Sequence, residues 1–326
     1  MTKIESMPPP FGSDQERSIC WQKFKDRLES VAEKVPGYFL MTRPYSWIEY
    51  PMIALVVKSL ETDGSVSLST LSIIDLASLF SISLMWAGLC WNLEAEHKHP
   101  GRPEISRQVT LCTFALAAVI GVIINPLTLV PFTIFYFTSI LYSRKEGRND
   151  FLGYTSFLVR GIGQAAVYFF SQLLYSSILM PIHFSIGIVI CLVLAARNLI
   201  GDLRDIRHDE KTFCKVFGET QAKFVAVGLK LGAAVALYSV TDSAFDSVLL
   251  SFPLIVESIL TLTNKNYQNL HRISVLGTSV TLGNLILETT GLGTAVILTD
   301  LIYLSGLINV VFYMKVPRSS NQDYVQ

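Results

Sequence analysis

The stretch Ile182–Ala196, IHFSIGIVICLVLAA, runs directly into Arg197–Lys211, RNLIGDLRDIRHDEK. The first part is apolar for four turns of helix and reads as a membrane-crossing segment. The second part brings three aspartates, Asp202, Asp205 and Asp209. If the helix continues, their spacings of three, four and seven residues place them on one face. Three carboxylates on one face repel one another unless a cation lies between them. Carboxylate oxygens suit Mg²⁺, which commonly takes substrate phosphates and water as its other ligands. Arg204, Arg207 and Lys211 are interleaved and can reach phosphate oxygens. A second reading stands beside this one: an ordinary charged cytoplasmic loop that mixes signs for solubility.

Working outward, the rest of the chain repeats the apolar theme. Of 326 residues 51% are hydrophobic and only 16% are charged, and the mean hydropathy is +0.44. Such a chain is too apolar for a typical soluble domain. Apolar segments fall near 46–60, 70–92, 107–125, 128–143, 157–177, 182–200, 222–240, 244–262, 273–290 and 293–314. This pattern predicts an all-α, polytopic transmembrane bundle of nine or ten helices. Formal net charge is zero, so nothing in the charge balance points to an acidic partner, and no nucleic-acid partner is expected. The five cysteines, Cys20, Cys90, Cys112, Cys191 and Cys214, are scattered without a CxxC, which excludes a disulfide framework and a zinc ribbon.

The polar connections alternate. Those near 61–70, 125–128, 178–182, 241–246 and 289–293 contain no Lys or Arg. Basic residues gather on the other side: Lys98, Arg102, Arg107, Arg144, Lys145, Arg148, the Arg204–Lys215 cluster, Lys265 and Arg272. By the positive-inside rule that side is cytoplasmic. With ten spans both termini lie inside, together with Lys315 and Arg318. Residues 1–16 read as disordered. Residues 17–36 carry Trp21, Phe24, Leu28, Val31 and Val35 at helical spacing among lysines, as an interfacial amphipathic helix does. The domain division is a tail and interfacial helix over 1–40, a membrane domain over 41–314 and a short polar tail over 315–326.

A second polar cluster closes the second span, GLCWNLEAEHKHPGRPEISR. Asn92 and Glu96 are four residues apart and share a face. His97 and His99 have one residue between them, which does not suit a single helical face, and they are left out of the site. Pro100-Gly101-Arg102-Pro103 forces a turn. The second and sixth spans therefore both end on the basic side in groups at metal-ligand spacing. Lys230, Glu257, Glu288 and Asp300 are further charges within apolar text, with no paired pattern visible.

These residues resemble the UbiA superfamily of intramembrane prenyltransferases. Asp202, Asp205, Asp209 and Lys211 match its DxxDxxxD motif with the following basic residue, and Phe217-Gly218-Glu219 resembles the continuation. Arg43-Pro44-Tyr45-Ser46-Trp47 matches an RPxxW opening, and Val159-Arg160-Gly161 resembles a VRG in some quinone-pathway members. The first acidic motif is degenerate, offering Asn92 and Glu96 without an aspartate, though Arg102-Pro103 matches its closing pair.

The resemblance covers about residues 40–290 and implies a central cavity open to the bilayer. It implies Mg²⁺ held by Asp202, Asp205 and Asp209 opposite Asn92 and Glu96, with those three aspartates as the catalytic set. It makes Arg160, Lys145, Arg204 and Lys211 candidate contacts to an isoprenoid diphosphate, and Arg102 either another or a helix cap. The implied activity is ionisation of an allylic diphosphate and prenyl transfer to an acceptor whose identity the sequence does not give. The alternatives are a membrane terpene cyclase and a non-catalytic lipid-binding homologue.

Overall fold

The computed structural model describes residues 49–61, 72–97, 107–143, 150–207, 211–241 and 243–290, with short pieces at 292, 296–297, 299–300 and 303–304, and backbone alone at 94–97 and 150–152. All regular structure among the described residues is helical. The helices are α1 (Glu49–Glu61), α2 (Ile73–His97), α3 (Arg107–Ile124), α4 (Leu129–Ser143), α5 (Asp150–Tyr175), α6 (Pro181–Asp205), α7 (Phe213–Phe217), α8 (Glu219–Leu237), α9 (Ala244–Thr263) and α10 (Tyr267–Thr289). Seven of them, α2 to α6 with α8 and α9, are long and apolar enough to cross a membrane. The chain is therefore a polytopic helical membrane protein, as its composition requires.

Nine of the ten expected spans coincide with described helices: all of the long ones together with α1. The tenth, near 293–314, lies mostly outside the described residues, as do the tail, the interfacial helix, the RPxxW stretch and the last twelve residues. The five-residue α7 was not expected. It is too short to give a period, and Gly218 ends it with φ +93°, a left-handed value that favours glycine.

Sequence neighbours pack in order. α1 touches α2, α2 touches α3 and α4, α4 touches α5, α5 touches α6, α6 touches α8, α8 touches α9, α9 touches α10, and α10 returns to α1. Cross-contacts of α1 with α5 and of α6 with α10 tie the ring across its middle. The core reflects this order: Tyr50, Ile53, Ile82, Met85, Phe135, Tyr168, Phe170, Ile186 and Ile190 are all buried. Val109, Leu116, Val119 and Ile123 on α3 are exposed, as befits a face turned to hydrocarbon.

Polar side chains fix the register of α5 against its neighbours. Gln164 meets the Tyr50 hydroxyl at 2.5 Å, Ser171 meets Ser78 at 2.8 Å, and Gln172 donates to Glu61. Tyr175 donates to Asp75, which also pairs with Lys58 at 2.9 Å. Interhelical hydrogen bonds inside membranes contribute about 0.6 kcal/mol each, so these contacts select one alignment while packing supplies most of the cohesion.

Two of the four charges in apolar text, Lys230 and Glu257, are paired, and a third, Asp300, accepts from the Asn284 amide at 2.9 Å. Lys230 on α8 reaches Glu257 on α9 at 2.7 Å, with both side chains buried. Arg197 on α6 pairs with Glu49 on α1. For Lys230 and Glu257 the expectation of no paired pattern is corrected here. The partners lie 27 residues apart, as their numbers show, so no local spacing reveals them.

Candidate functional site

α6 does not stop where its apolar run ends. It continues to Asp205, so Asp202 and Asp205 lie three residues apart on one helix, as the spacing predicted. Asp202 is only 5% exposed, and its Oδ2 accepts a hydrogen bond from the Ser156 hydroxyl of α5 at 3.3 Å. That contact locks the acidic end of α6 to α5. The segment after α6 folds back over the start of α5: a Cβ built on Gly153 would lie 2.0 Å from the Lys211 carbonyl oxygen. Only glycine allows that approach, which brings Lys211 to the mouth of α5. Asp209 lies outside the described residues.

Asp205 is held differently. Arg204 grips it with both prongs, Nε to Oδ1 at 2.7 Å and Nη2 to Oδ2 at 2.5 Å. The third prong, Nη1, donates to His271 Nδ1 on α10 at 3.2 Å, which leaves the imidazole proton on Nε2. The sequence proposed Arg204 for a diphosphate. In this structure the guanidinium serves Asp205 and bridges α6 to α10.

Arg160 lies one helical turn further into the membrane than Ser156. Its guanidinium stands over the rings of Trp86 at 5.1 Å and Tyr142 at 5.5 Å. With its amide oxygen turned towards Arg160, Gln164 accepts from Nη1 at 3.2 Å and Nη2 at 2.9 Å and also meets the Tyr50 hydroxyl. Cation–π contacts and a neutral amide hold this cation, but among the described residues no carboxylate pairs with it.

On the facing helix, Asn92 donates from Nδ2 to the Ser143 hydroxyl at the end of α4, at 2.6 Å. The Ser143 hydroxyl in turn donates to the Ser139 carbonyl at 2.8 Å. Glu96 lies within α2, and its side chain lies outside the described residues, as do Arg102 and Lys145 altogether.

The donor set is all oxygen: two carboxylates on α6 and an amide oxygen on α2. Among the described residues no three acidic, histidine or cysteine side chains gather closely enough to hold a metal unaided. Oxygen donors of this kind suit Mg²⁺, which is usually bound by one or two carboxylates together with substrate phosphates. Asp202 is the buried carboxylate of this set, and the Asn92 oxygen has no hydrogen-bond partner among the described residues.

Sequence reasoning missed Ser156, Ser143, Trp86, Tyr142, Gln164 and His271. Gln164 left a trace, a polar residue four after Arg160 in apolar text. The others carry no signal until α2, α4, α5 and α10 are brought together.

The sequence matches no protein-family model and no curated protein. Solved structures do resemble it. A structure of digeranylgeranylglyceryl phosphate synthase superposes with a TM-score of 0.59 at 14% identity, covering 81% of this chain and 99% of that one. A UbiA homologue from Archaeoglobus fulgidus bound to GPP and Mg²⁺ gives 0.53 at 14% identity, covering 80% and 99%. A UbiA homologue from Aeropyrum pernix K1 gives 0.54 at 12% identity, covering 77% and 97%.

Proposed function

The chain has the fold of the UbiA homologues, and from that premise and the site's own geometry we propose a Mg²⁺-dependent intramembrane prenyltransferase. It would ionise an allylic prenyl diphosphate and transfer the prenyl group to an acceptor. The observation that carries this reading is Arg160, a guanidinium inside an apolar bundle with aromatic rings and an amide around it but no carboxylate partner among the described residues. A cation in such a place is stabilised by an anionic ligand. A similar fold binds GPP with Mg²⁺, which supports a prenyl diphosphate as that anion.

The allylic C–O bond breaks and its electron pair leaves with the diphosphate. Arg160 meets the developing charge from the membrane side, and Lys211 from the loop over α5. Asp202, which accepts from Ser156, would hold Mg²⁺, and that ion would supply positive charge to neutralise the departing diphosphate. Apolar walls exclude water, so the allylic cation survives until the acceptor attacks and loses a proton. Capture by the chain's own double bonds instead would give a cyclase.

The test is product analysis. Purified protein is incubated with C10, C15 and C20 prenyl diphosphates, with and without aromatic and polar acceptors. Prenylated acceptor is the expected product, and a terpene formed without any acceptor would replace the transferase with a cyclase. Conversion should stop in EDTA and return with Mg²⁺ or Mn²⁺. Undiminished turnover in chelator would exclude the metal–diphosphate mechanism.

We place the site on the cytoplasmic side, because the basic connections flank it. The ends of α5 and α9 allow a check. Ser177→Cys, just after α5, should react with an impermeant thiol reagent from outside intact cells, and Lys265→Cys, just after α9, should not. Labelling of Lys265→Cys alone would invert the arrangement.

A further inference from the structure

We infer that Ser143 is a positioning residue that fixes which end of the Asn92 amide faces the bound cation, an inference that rests on the functional reading above. An asparagine amide has two ends of nearly equal size, and only the oxygen end can ligate a metal. Something must therefore set its sense. The Ser143 hydroxyl has one proton, and that proton is used on the Ser139 carbonyl at 2.8 Å. Towards Asn92 the hydroxyl can then only accept, and it takes the Nδ2 hydrogen at 2.6 Å. Turning the amide over would force Ser143 to give up Ser139 in order to donate to Oδ1, so the observed sense has one more hydrogen bond.

The oxygen end is the unspent one. Oδ1 of Asn92 has no hydrogen-bond partner among the described residues. Ser143 itself is 1% exposed, so water does not compete for its hydroxyl. Its neighbour Tyr142 lies against the Arg160 guanidinium, so the last turn of α4 touches both that cation and the Asn92 amide. α4 supplies no ligand of its own. Its role is to aim groups carried by α2 and α5, as outer-shell partners of metal ligands do.

The orientation claim has a signature that a packing role lacks. A carboxylate at position 92 presents oxygen from either end, so its sense no longer matters. The readout is calorimetric binding of geranyl thiolodiphosphate, whose C–S bond does not ionise, as a function of Mg²⁺ concentration. Ser143→Ala should raise the half-saturating Mg²⁺ concentration about tenfold in the Asn92 background. In the Asn92→Asp background the same change should move it less than about twofold. Ser143→Thr, which keeps the hydroxyl, should restore most of the loss. Should Ser143→Ala fail to fold, Ser143→Cys keeps the volume with a much weaker acceptor and should show the same pattern.

Equal shifts in both backgrounds, or none in either, would overturn the role of Ser143 while leaving the functional reading in place. A wild-type protein that binds the analogue without regard to Mg²⁺ would overturn the functional reading, and the Ser143 role with it.

Discussion

Asp202→Asn should lower the rate of prenyl diphosphate conversion by at least about a hundredfold, on the scale of removing one preorganised electrostatic group from a water-excluded site. The substitution keeps the size of the side chain and an oxygen for the Ser156 hydroxyl to meet at the end of α6. What it removes is the negative charge that, on the proposed function, would hold Mg²⁺. Thermal stability should therefore change little, and the half-saturating Mg²⁺ concentration should rise. Ser156→Ala removes only the anchor and should cost less, about tenfold. Asp205→Asn should behave differently from Asp202→Asn, because both oxygens of Asp205 are engaged by Arg204. Losing that charge frees the guanidinium as well as weakening the acidic face, so stability should fall along with rate. Rates, Mg²⁺ titrations and melting curves on the three variants check this. An Asp202→Asn protein with wild-type rate and Mg²⁺ dependence would remove Asp202 from the site.

The second large effect belongs to Arg160. Arg160→Gln should raise KM for the prenyl diphosphate by about ten- to a hundredfold and lower kcat as well. A hydrogen bond to a charged group contributes roughly 1.5–3 kcal/mol, and each 1.4 kcal/mol is a factor of ten. Arg160→Lys keeps the charge but loses the planar fork and the stacking on Trp86 and Tyr142, so it should recover only part of the loss. Stability separates function from structure here. A cation in a structural ion pair would cost about 3–5 kcal/mol to leave half-broken. Arg160 leaves no carboxylate behind among the described residues, so Arg160→Gln should fold as well as the wild type or better. Lys230→Met gives the contrast: it strands Glu257 in the bundle and should destabilise the protein strongly while leaving the diphosphate contacts in place.

Much of the architecture was legible because a bilayer simplifies the code. Long apolar runs must become helices, since backbone groups in hydrocarbon can be satisfied only within the segment. The boundaries slipped where polar residues extend a helix beyond its apolar run. α10 begins at Tyr267, six residues before the apolar stretch from 273 suggested, because Asn266 caps it by accepting from the Asn269 amide at 3.1 Å. Gln268, His271 and Arg272 then ride inside the helix, where hydropathy alone reads them as loop. α6 likewise carries Arg197 to Asp205 beyond its apolar run.

The site was legible in part, and for a different reason. Asp202 and Asp205 announce themselves by helical spacing, and Arg160 came from a resemblance to a known motif. What the sequence cannot display is the use each group makes of its neighbours. Arg204 and Asp205 read as two separate ligands but close on each other. Ser156, Ser143 and Tyr142 read as ordinary residues of apolar helices, yet they donate to Asp202, accept from Asn92 and flank Arg160. Those roles come from helix pairing across 46 or more residues, as in Ser156 with Asp202 and Asn92 with Ser143. A single sequence holds no record of such pairings.

The central claim, that this fold and site ionise a prenyl diphosphate, is tested most directly by release of inorganic diphosphate. Purified wild-type protein is incubated with geranyl, farnesyl and geranylgeranyl diphosphate in Mg²⁺, and free diphosphate is followed over time against Asp202→Asn and Arg160→Gln. Continuous release by the wild type, abolished by EDTA and at least about a hundredfold slower in Asp202→Asn, is the predicted result. Binding of the same diphosphates without any release, with or without added acceptors and unchanged in both variants, would contradict it.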